Sequence, residues 1–209
     1  MSLRLRQVHI AVGGRELVRG LDAEVERGQV LALMGPSGSG KSSLLAWIAG
    51  TLEAPFEAQG QLLLDGVDIG SEPVQRRRIG LLFQDDLLFP HLNVLGNLLF
   101  ALPAGRRAER VARAEAALAQ AELAGFGPRW PHSLSGGQRA RVSLLRALLA
   151  EPKALLLDEP FAQLDTTLRE QVRRYTFATL AERGVPTVLV THDAADVPPG
   201  ATCLQLGAP

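Results

Sequence analysis

One stretch near the N-terminus constrains the fold more than any other part of the chain. The apolar run "VLALM", residues 30–34, leads directly into "GPSGSGKS", residues 35–42, and "SLLAWIAG" then shows the apolar spacing of a helix. A short apolar run that ends in glycine is typical of a strand buried on both faces. A strand, a glycine-rich loop and a helix in this order match the pattern G-x-x-x-x-G-K-[ST], which in this context binds phosphate groups.

The residue types in this loop explain how it would hold a nucleotide. Glycines allow backbone N–H groups to turn inward around a β-phosphate, and the helix N-terminus adds a partial positive charge. We expect Lys41 to reach the β- and γ-phosphate oxygens and the Ser42 hydroxyl to bind Mg²⁺. An accidental match is expected in roughly one chain of this length in a hundred. The residues predicted to contact the nucleotide here are Gly35, Pro36, Ser37, Gly38, Ser39, Gly40, Lys41, Ser42 and Ser43.

Two carboxylates follow another apolar run. The sequence "ALLLDEP" places Asp158 and Glu159 at the carboxyl end of a predicted buried strand, the edge at which open α/β sheets bind ligands. We expect Asp158 to hold Mg²⁺ through water and Glu159 to polarise the water that attacks the γ-phosphorus, because phosphoryl transfer depends mainly on positioning and charge stabilisation. Solvated acids at a strand end are the alternative, which the phosphate loop disfavours.

The order of the elements predicts an α/β fold. "LRLRQVHIAV" alternates apolar and polar residues and precedes a Gly-Gly hairpin signal at 13–14. Further along, strands alternate with helices, which implies a mixed or parallel sheet covered on both sides. The region 85–151 is helical and too long for an ordinary crossover. We therefore predict a single domain over 1–209, in which a core with an N-terminal antiparallel β-subdomain (1–84 and 152–209) carries an inserted α-helical subdomain (85–151).

Composition excludes several classes of protein. The chain has 22 basic and 22 acidic residues, so no overall positive field favours nucleic acid as a partner. Cys203 is the only cysteine, which rules out an internal disulfide framework, and its apolar neighbours predict a buried side chain. No window approaches the roughly 18 uninterrupted apolar residues of a membrane span, and the first residues show no secretory signal. The arginine run at 76–78 is predicted to be a solvated face, with a recognition patch as the alternative, and the pair Asp85 and Asp86 is predicted to be exposed, with contact to a basic partner as the alternative.

A second glycine-rich stretch, "SLSGGQRARV", begins an apolar helix but contains no lysine. A serine hydroxyl and glycine N–H groups at the start of a helix form an anion site. A plain helix cap is the alternative, with Ser135 as the N-cap residue. A cap alone does not explain Gly136 and Gly137, since each glycine weakens the first turn by about 1 kcal/mol relative to alanine.

The three motifs together resemble those of the ATP-binding cassette (ABC) ATPases, and the likeness covers almost the whole chain. In that family LSGGQ is the signature, which binds the γ-phosphate of the ATP held by the other subunit, so that two chains face head to tail around two ATP molecules. The resemblance implies ATP and Mg²⁺ as cofactors and a P-loop nucleoside triphosphatase core. It also implies that the partner's ATP contacts Ser135, Gly136, Gly137 and Gln138.

The resemblance extends to other positions one at a time. Gln84 in "LLFQDD" matches a glutamine that binds Mg²⁺ and water, and His192 in "VLVTHD" matches a switch histidine that contacts the γ-phosphate. Asp165 in "FAQLD" matches a loop that crosses the dimer interface. Val12 falls where the family usually stacks an aromatic ring on adenine, so we expect weaker discrimination among nucleotide bases. The predicted catalytic residues are Lys41, Gln84, Glu159 and His192, and the predicted metal ligands are Ser42, Gln84 and Asp158.

The apolar stretch "LLFPHLNVLGNL" resembles the importer subgroup for oxyanions, thiamine or ferric iron. This resemblance implies an ATPase subunit that energises solute import across the inner membrane from its cytoplasmic face. The implied partners are transmembrane permease subunits, a second copy of the chain and a periplasmic solute-binding protein. Two alternatives stay open: an exporter, lipoprotein-release or cell-division cassette, and a soluble cassette that acts on nucleic acid or ribosomes. The chain ends soon after its last predicted strand, so we expect no C-terminal regulatory domain.

Overall fold

The computed structural model describes residues 1–207 and divides the chain into two compact units. The first unit comprises residues 1–81, 153–159 and the chain from residue 180 onward. The second comprises residues 82–152 and 160–179. Each unit buries a cluster of apolar side chains of its own. Within residues 1–207, no helix combines the length and the apolar composition that crossing a bilayer requires.

An antiparallel sheet forms the N-terminal part of the first unit. Its strands, in spatial order, are β2 (Arg15–Val25), β1 (Leu3–Val12), β4 (Phe56–Leu64) and β5 (Val67–Asp68). Gly13 and Gly14 join β1 to β2 with φ angles of 56° and 78°, which residues with a side chain rarely adopt. This turn confirms the hairpin that the Gly-Gly pair predicted.

A five-stranded sheet forms the rest of the first unit. In spatial order its strands are β6 (Ile79–Leu82), β7 (Ala154–Asp158), β8 (Thr187–Val190), β3 (Val30–Met34) and β9 (Thr202–Gln205). Helix α1 (Lys41–Ala49) follows β3, and helix α2 (Val74–Arg77) directly precedes β6. The pairs β7–β8, β8–β3 and β3–β9 are parallel, and β3, β7 and β8 are almost entirely buried. The predicted α/β fold is therefore confirmed.

The second unit is helical. It contains α3 (Val94–Ala101), α4 (Arg107–Gln120), a 3₁₀ turn (Pro131–Ser133), α5 (Gly136–Leu149) and residues 166–179 of α6 (Thr166–Arg183). Its core is built from side chains of all three complete helices, among them Leu98, Leu118 and Leu145. The predicted helical region 85–151 falls in this unit, with which the first part of α6 also groups. The domain limits assigned from the sequence stay a prediction.

Arg77 corrects one expectation from the sequence. The run at 76–78 was predicted to be solvated, yet Arg77 is only 7% exposed. Its guanidinium donates hydrogen bonds of 2.6 to 3.0 Å to four backbone carbonyl oxygens, those of Trp47, Ile48, Gly70 and Glu72. Two of these carbonyls belong to the last turn of α1, where helix carbonyls lack their usual donors four residues on; that of Trp47 also accepts the Gly50 N–H at 3.1 Å. The guanidinium therefore caps α1 and joins it to the segment that precedes β6.

Two further exposure predictions were wrong. Asp86 is half-buried and forms an ion pair with Arg139, whereas Asp85 is exposed and accepts a hydrogen bond from Gln163 Nε2 at 2.7 Å. Cys203 is exposed rather than buried. The reason is topological: β9 is an edge strand, so an apolar run there has a neighbouring strand on one side only.

Candidate nucleotide-binding site

Three loops meet at the carboxyl edge of the parallel sheet. Strand β8 lies between β7 and β3, and Val190 is in register with both Asp158 and Leu33. Because these strands are parallel, the segments that follow them leave the sheet at neighbouring positions. The first unit therefore brings together the predicted phosphate loop, Asp158, Glu159 and His192.

The phosphate loop depends on glycine for conformation and for space. Gly35, Gly38 and Gly40 have φ angles of 142°, 77° and 93°, which other residues adopt only with strain. A Cβ atom on Gly35 would lie 2.3 Å from the carbonyl oxygen of Leu206, and one on Gly40 would lie 2.9 Å from Leu17 Cβ. Gly38 has open space around it, so at this position the backbone conformation alone requires glycine.

Lys41 is the first residue of α1 and is 8% exposed. Its Nζ donates hydrogen bonds to the carbonyl oxygens of Gly35 and Pro36, at 2.7 and 2.8 Å. An ammonium group has three donors, and these two bonds hold it across the loop. The other residues predicted to contact the nucleotide differ in exposure. Ser39 and Gly40 are buried, Gly35 and Ser43 are half-buried, and Pro36, Ser37, Gly38 and Ser42 are exposed.

Ser42 and Asp158 form an oxygen-rich pair at the start of α1. The Ser42 hydroxyl interacts with the Asp158 carboxylate and favours its ionised form. Burial, together with the nearby charge of Glu159, raises the pKa of Asp158 above its ordinary value, while the Ser42 hydroxyl and the Lys41 charge partly oppose that rise. A half-buried carboxylate of this kind favours a cation beside it. Hydroxyl and carboxylate oxygens are the ligands that Mg²⁺ prefers, so the pair fits this ion.

Glu159 and His192 are in direct contact. The distance from His192 Nδ1 to Glu159 Oε2 is 2.7 Å, and an ionised carboxylate only accepts hydrogen bonds, so Nδ1 is the donor. The backbone of Glu159 has a φ angle of 47° and its N–H donates to the carbonyl oxygen of Val190 at 3.0 Å. A non-glycine residue with positive φ occurs mostly where the surrounding structure holds it, and such residues cluster at functional sites.

Two residues that the sequence did not single out position His192. Thr191 Oγ1 donates to the carboxylate of Asp196, which is almost fully buried, at 3.0 Å. The same hydroxyl accepts a hydrogen bond from the N–H of Asp193 at 3.1 Å. These bonds fix the turn that carries His192 out of β8. The only sequence signal was an aspartate four residues after the histidine, which is too common to be informative.

A cleft of about 570 Å³ lies beside the phosphate loop in the same unit. Gly38 and Ser39 line it together with residues 15–19 of β2, Leu21 and residues 205–207. Val12, the predicted adenine contact, lies at the end of β1, half-buried and opposite Arg15 and Phe56 on the neighbouring strands. Ser39 Oγ is buried without a hydrogen-bond partner in the described structure, and a buried polar atom of this kind indicates a missing ligand or water.

Gln84 and the signature residues belong to the second unit. Gln84 is exposed and lies two residues beyond the end of β6. Asp165 precedes α6, and its carboxylate accepts a hydrogen bond from the Leu168 N–H at 3.1 Å, as an N-cap residue does. The prediction that Gln84 binds metal stays a prediction.

The signature stretch is a capping box at the start of α5. Ser135 Oγ accepts a hydrogen bond from the Gln138 N–H at 3.3 Å, and Gln138 Oε1 accepts one from the Ser135 N–H at 2.9 Å. The two side chains thus satisfy two of the donors that a helix start leaves unpaired. The interpretation of Ser135 as a helix cap and its interpretation as part of an anion site are therefore compatible.

The two signature glycines are not equivalent. A Cβ atom on Gly137 would lie 2.4 Å from Leu168 Cδ1 and 2.7 Å from its Cγ, so a larger residue there would have to displace the Leu168 side chain. A Cβ atom on Gly136 would meet nothing closer than Leu164 Cδ2 at 3.7 Å. No contact within the described chain explains why Gly136 is a glycine. The space beside Gly136 is therefore open to a ligand or another protein chain.

The second unit also exposes a group of aromatic side chains. The rings of Phe89 and Phe100 pack edge to face with centroids 4.7 Å apart, and His91 lies 5.7 Å from Phe89. The guanidinium of Arg146 lies over the Phe89 ring at 5.3 Å. Phe100 is 69% exposed. We call Phe89, His91 and Phe100 the aromatic patch; exposed apolar surface of this kind typically marks a binding surface.

The fold and the phosphate loop define the class of protein, a P-loop nucleotide-binding protein with a core sheet of four parallel strands and a fifth edge strand. Comparison with known proteins then identifies the family. The family described as "ABC transporter" matches residues 18–162 of this chain, more than half of its length. The chain therefore belongs to the ABC transporter ATP-binding proteins, which are ATPases.

Several relatives are similar over most of the chain. An uncharacterized ABC transporter ATP-binding protein of Escherichia coli, YnjD, is 44% identical over 98% of this chain and 94% of its own length. The sulfate/thiosulfate import ATP-binding protein CysA of Caulobacter vibrioides is 44% identical over 92% of this chain. The Fe(3+) ions import ATP-binding protein FbpC of Pseudomonas fluorescens is 44% identical over 93%. This chain spans 58% and 55% of the length of those two import proteins.

A solved structure has the same fold. The ATP-binding cassette MJ0796, in a dimeric post-hydrolysis state bound to ADP and Pi, matches with a TM-score of 0.79 and 30% identity. The match covers 98% of this chain and 94% of the solved chain. The predicted membership of the ABC family, the ATPase activity and the binding of ATP are thereby confirmed.

Proposed function

We propose that this ABC ATPase energises the import of a solute through permease subunits of the inner membrane. It would act as a head-to-tail dimer of two identical chains on the cytoplasmic face, with a periplasmic solute-binding protein in the same system. The observation that carries the proposal is 44% identity, over more than nine-tenths of this chain, to proteins named for sulfate and ferric-iron import. A single ABC domain with the helical region inserted in its core belongs to the same proposal.

The first unit would supply the binding and hydrolysis of ATP. Lys41 lies across the phosphate loop, where its ammonium can exchange the Gly35 and Pro36 carbonyls for β- and γ-phosphate oxygens. Glu159 would orient and polarise the attacking water as the general base. His192 holds the Glu159 carboxylate through Nδ1, which leaves Nε2, on the opposite side of the ring, to contact a γ-phosphate oxygen; a hydrogen bond there would require the imidazolium, in which both ring nitrogens are donors.

The Ser42 hydroxyl and the Asp158 carboxylate would hold Mg²⁺, with Gln84 as a further ligand. When bound, this ion would neutralise charge on the β- and γ-phosphates. The Ser42 hydroxyl already interacts with the Asp158 carboxylate, so the two side chains are near each other before any metal arrives. The exposed Gln84 lies on a chain segment outside the sheet, which suits a residue that engages only when ATP is present.

The signature would bind the ATP of the second copy. Ser135 and Gln138 cap α5, and Gly136 keeps the space in front of the helix start open. An uncovered helix N-terminus attracts an anion through its N–H groups and its dipole. The site has no lysine, so it would bind a γ-phosphate only when the phosphate loop of the other copy already holds the nucleotide.

The aromatic patch would dock the membrane partner. Phe89 and Phe100, the latter within α3, offer an apolar surface, and α3 has no charged residue. Such a surface suits a short apolar helix of a permease. The chain is equally similar to a protein named for the import of an anion and to one named for the import of a metal cation. The similarity therefore favours import without selecting one solute.

The test is purification of tagged Glu159→Gln protein from its own cells, with ATP and a mild detergent. We expect hydrolysis to fall by about 10²- to 10⁴-fold, as for loss of a general base, with ATP binding retained and an ATP-bound dimer accumulating. A multi-pass membrane protein should copurify. Phe100→Ala should release it while the dimer persists, and Trp130→Ala, which removes another exposed aromatic ring, is the matched control.

The outcomes separate the parts of the proposal. A permease that copurifies with a solute-binding protein supports import. Copurification of a membrane protein that exports its solute would support the ATPase activity and contradict the proposed import. Copurification of ribosomes or nucleic acid alone would overturn transport altogether. Hydrolysis at the wild-type rate in Glu159→Gln would show that Glu159 is not the general base.

A further inference from the structure

One face of α5 carries three polar side chains that all bond to the same short segment. Arg139, Ser143 and Arg146 are spaced four and three residues apart, so they lie on one side of the helix. Ser143 Oγ donates to the carbonyl oxygen of Asp86 at 2.8 Å, and Arg146 Nη1 donates to that of Leu87 at 2.8 Å. Arg139 Nε donates to the Asp86 carboxylate at 3.0 Å. The chain immediately after Gln84 is therefore held along α5.

The segment is also fixed from its other end. Asn97 is fully buried in α3 and accepts a hydrogen bond from the Phe89 N–H at 2.8 Å. Its two amide N–H donors are shared among the carbonyl oxygens of Phe89, Leu92 and Asn93, at 3.1 to 3.2 Å. The segment is therefore bonded to α5 at residues 86 and 87 and to α3 at residues 89, 92 and 93.

Arg139 makes a second bond that reaches the signature. Its Nη1 donates to the carbonyl oxygen of Leu134 at 2.9 Å, the residue that directly precedes the N-cap Ser135. One guanidinium thus joins the Asp86 side chain to the backbone that begins the capping box. The planar fork of arginine suits this bridge, because its donors point in fixed, diverging directions.

We infer that Arg139 is a positioning residue for the signature, and that through Asp86 it couples the position of the signature to the segment that follows Gln84. The inference rests on the proposed function of the signature as a site for the partner's ATP. Arg139 touches no phosphate in this scheme; it sets where the helix start of α5 lies. Removal of the bridge should weaken the ATP-dependent dimer without weakening the binding of ATP to the phosphate loop of a single chain.

The experiment uses the full chain in the Glu159→Gln background, in which an ATP dimer accumulates. Arg139→Met keeps the alkyl stem and removes every donor. We expect its dimer dissociation constant with ATP to rise about tenfold, as for the loss of charge-assisted hydrogen bonds, while the affinity of the monomer for ATP is unchanged. Arg113→Met is the matched control, since Arg113 of α4 forms an exposed ion pair with Glu151 and should change neither value.

A double-mutant cycle tests the coupling to Asp86. Asp86→Asn together with Arg139→Met should weaken the dimer no more than Arg139→Met alone, because both changes break the same bridge. Additive effects would overturn the inference, and so would a dimer of unchanged affinity in Arg139→Met. If the Arg139→Met protein does not fold, Arg139→Lys replaces it in the experiment. A lysine ammonium keeps the positive charge but lacks the diverging donors of the guanidinium. An unchanged dimer affinity in Arg139→Lys would also overturn the inference.

Failure of the inference and failure of the proposed function give different results. Ser135→Ala removes the hydroxyl of the signature itself. If Ser135→Ala weakens the dimer and Arg139→Met does not, the signature binds the partner's ATP but Arg139 does not position it. If neither change has an effect, the signature does not bind the partner's ATP.

Discussion

Two glycine-rich helix starts, one in each unit, use similar residues for different physical reasons. In the loop before α1, Gly35, Gly38 and Gly40 adopt positive φ angles, and Lys41 adds a charge at the centre. Before α5, the capping box satisfies the helix start and the glycines lie inside the helix. Under the proposed function the first loop would enclose an anion, whereas the second presents only a capped helix end. A glycine-rich motif therefore does not identify its role until backbone conformation and space are known.

The two helices are also anchored differently. The C-terminal end of α1 is held by the buried guanidinium of Arg77, while α5 is held along one face by Arg139, Ser143 and Arg146. An anchor at the far end fixes the phosphate loop relative to the core. An anchor along the side ties α5 to the segment after Gln84, so the two helix starts are coupled to different parts of the chain.

The largest expected effect is in the first loop. Lys41→Ala should raise the dissociation constant for ATP by about 10³-fold, because it removes charge-assisted bonds to two phosphates. Titration calorimetry measures this. The chain has one other lysine, and Lys153→Ala is the matched control, since Lys153 bonds Asp65 at the surface. Normal ATP affinity in Lys41→Ala would show that Lys41 does not bind the phosphates of ATP.

The next effect concerns the anchor of α1. Arg77→Met should lower the free energy of unfolding by about 2–3 kcal/mol, because buried carbonyl oxygens lose their donors. Chemical denaturation measures this. Arg76→Met should change stability by less than about 0.5 kcal/mol, since the Arg76 side chain is 77% exposed. Equal effects of the two substitutions would show that burial of Arg77 does not matter to stability.

The signature glycines offer the sharpest comparison. Gly137→Ala should lower the free energy of unfolding by about 1–2 kcal/mol, because the added methyl group overpacks against Leu168. Gly136→Ala has room for the methyl group and should leave stability unchanged or slightly raised, yet weaken the ATP dimer in the Glu159→Gln background. Denaturation and size-exclusion chromatography with ATP separate the two effects. Loss of stability in both variants would show that the two glycines are equivalent.

The smallest effect is a pH dependence at Asp158. Burial raises the pKa of this carboxyl in the folded protein, so the folded state favours the neutral form more than the unfolded state does. The associated stability is present at low pH and is lost as pH rises through the folded-state pKa. Asp158→Asn should therefore raise the Tm without nucleotide by about 1–3 °C at about pH 7. The difference should shrink as pH falls through the folded-state pKa, because the wild-type carboxyl then becomes neutral; a constant difference would contradict the raised pKa.

Motifs with fixed spacing were readable from the sequence. The phosphate loop, the strand before Asp158 and the hairpin at 13–14 follow from local patterns, because glycine conformation, apolar runs and strand-to-helix order are properties of neighbouring residues. The family and the α/β fold followed from these patterns. The exposed Cys203 did not, since an apolar run does not reveal whether its strand lies at the centre or at the edge of a sheet.

Contacts between distant residues were decided by tertiary structure alone. One member of an arginine run became a buried cap because α1 and the segment before β6 brought carbonyl oxygens around it. Asp86 became half-buried because α5 packs along its segment. The unequal roles of Gly136 and Gly137 depend on where Leu168 lies, 31 residues further along the chain. Local sequence determines which conformations and which chemistry are available, whereas burial and partners depend on which segments the fold places together.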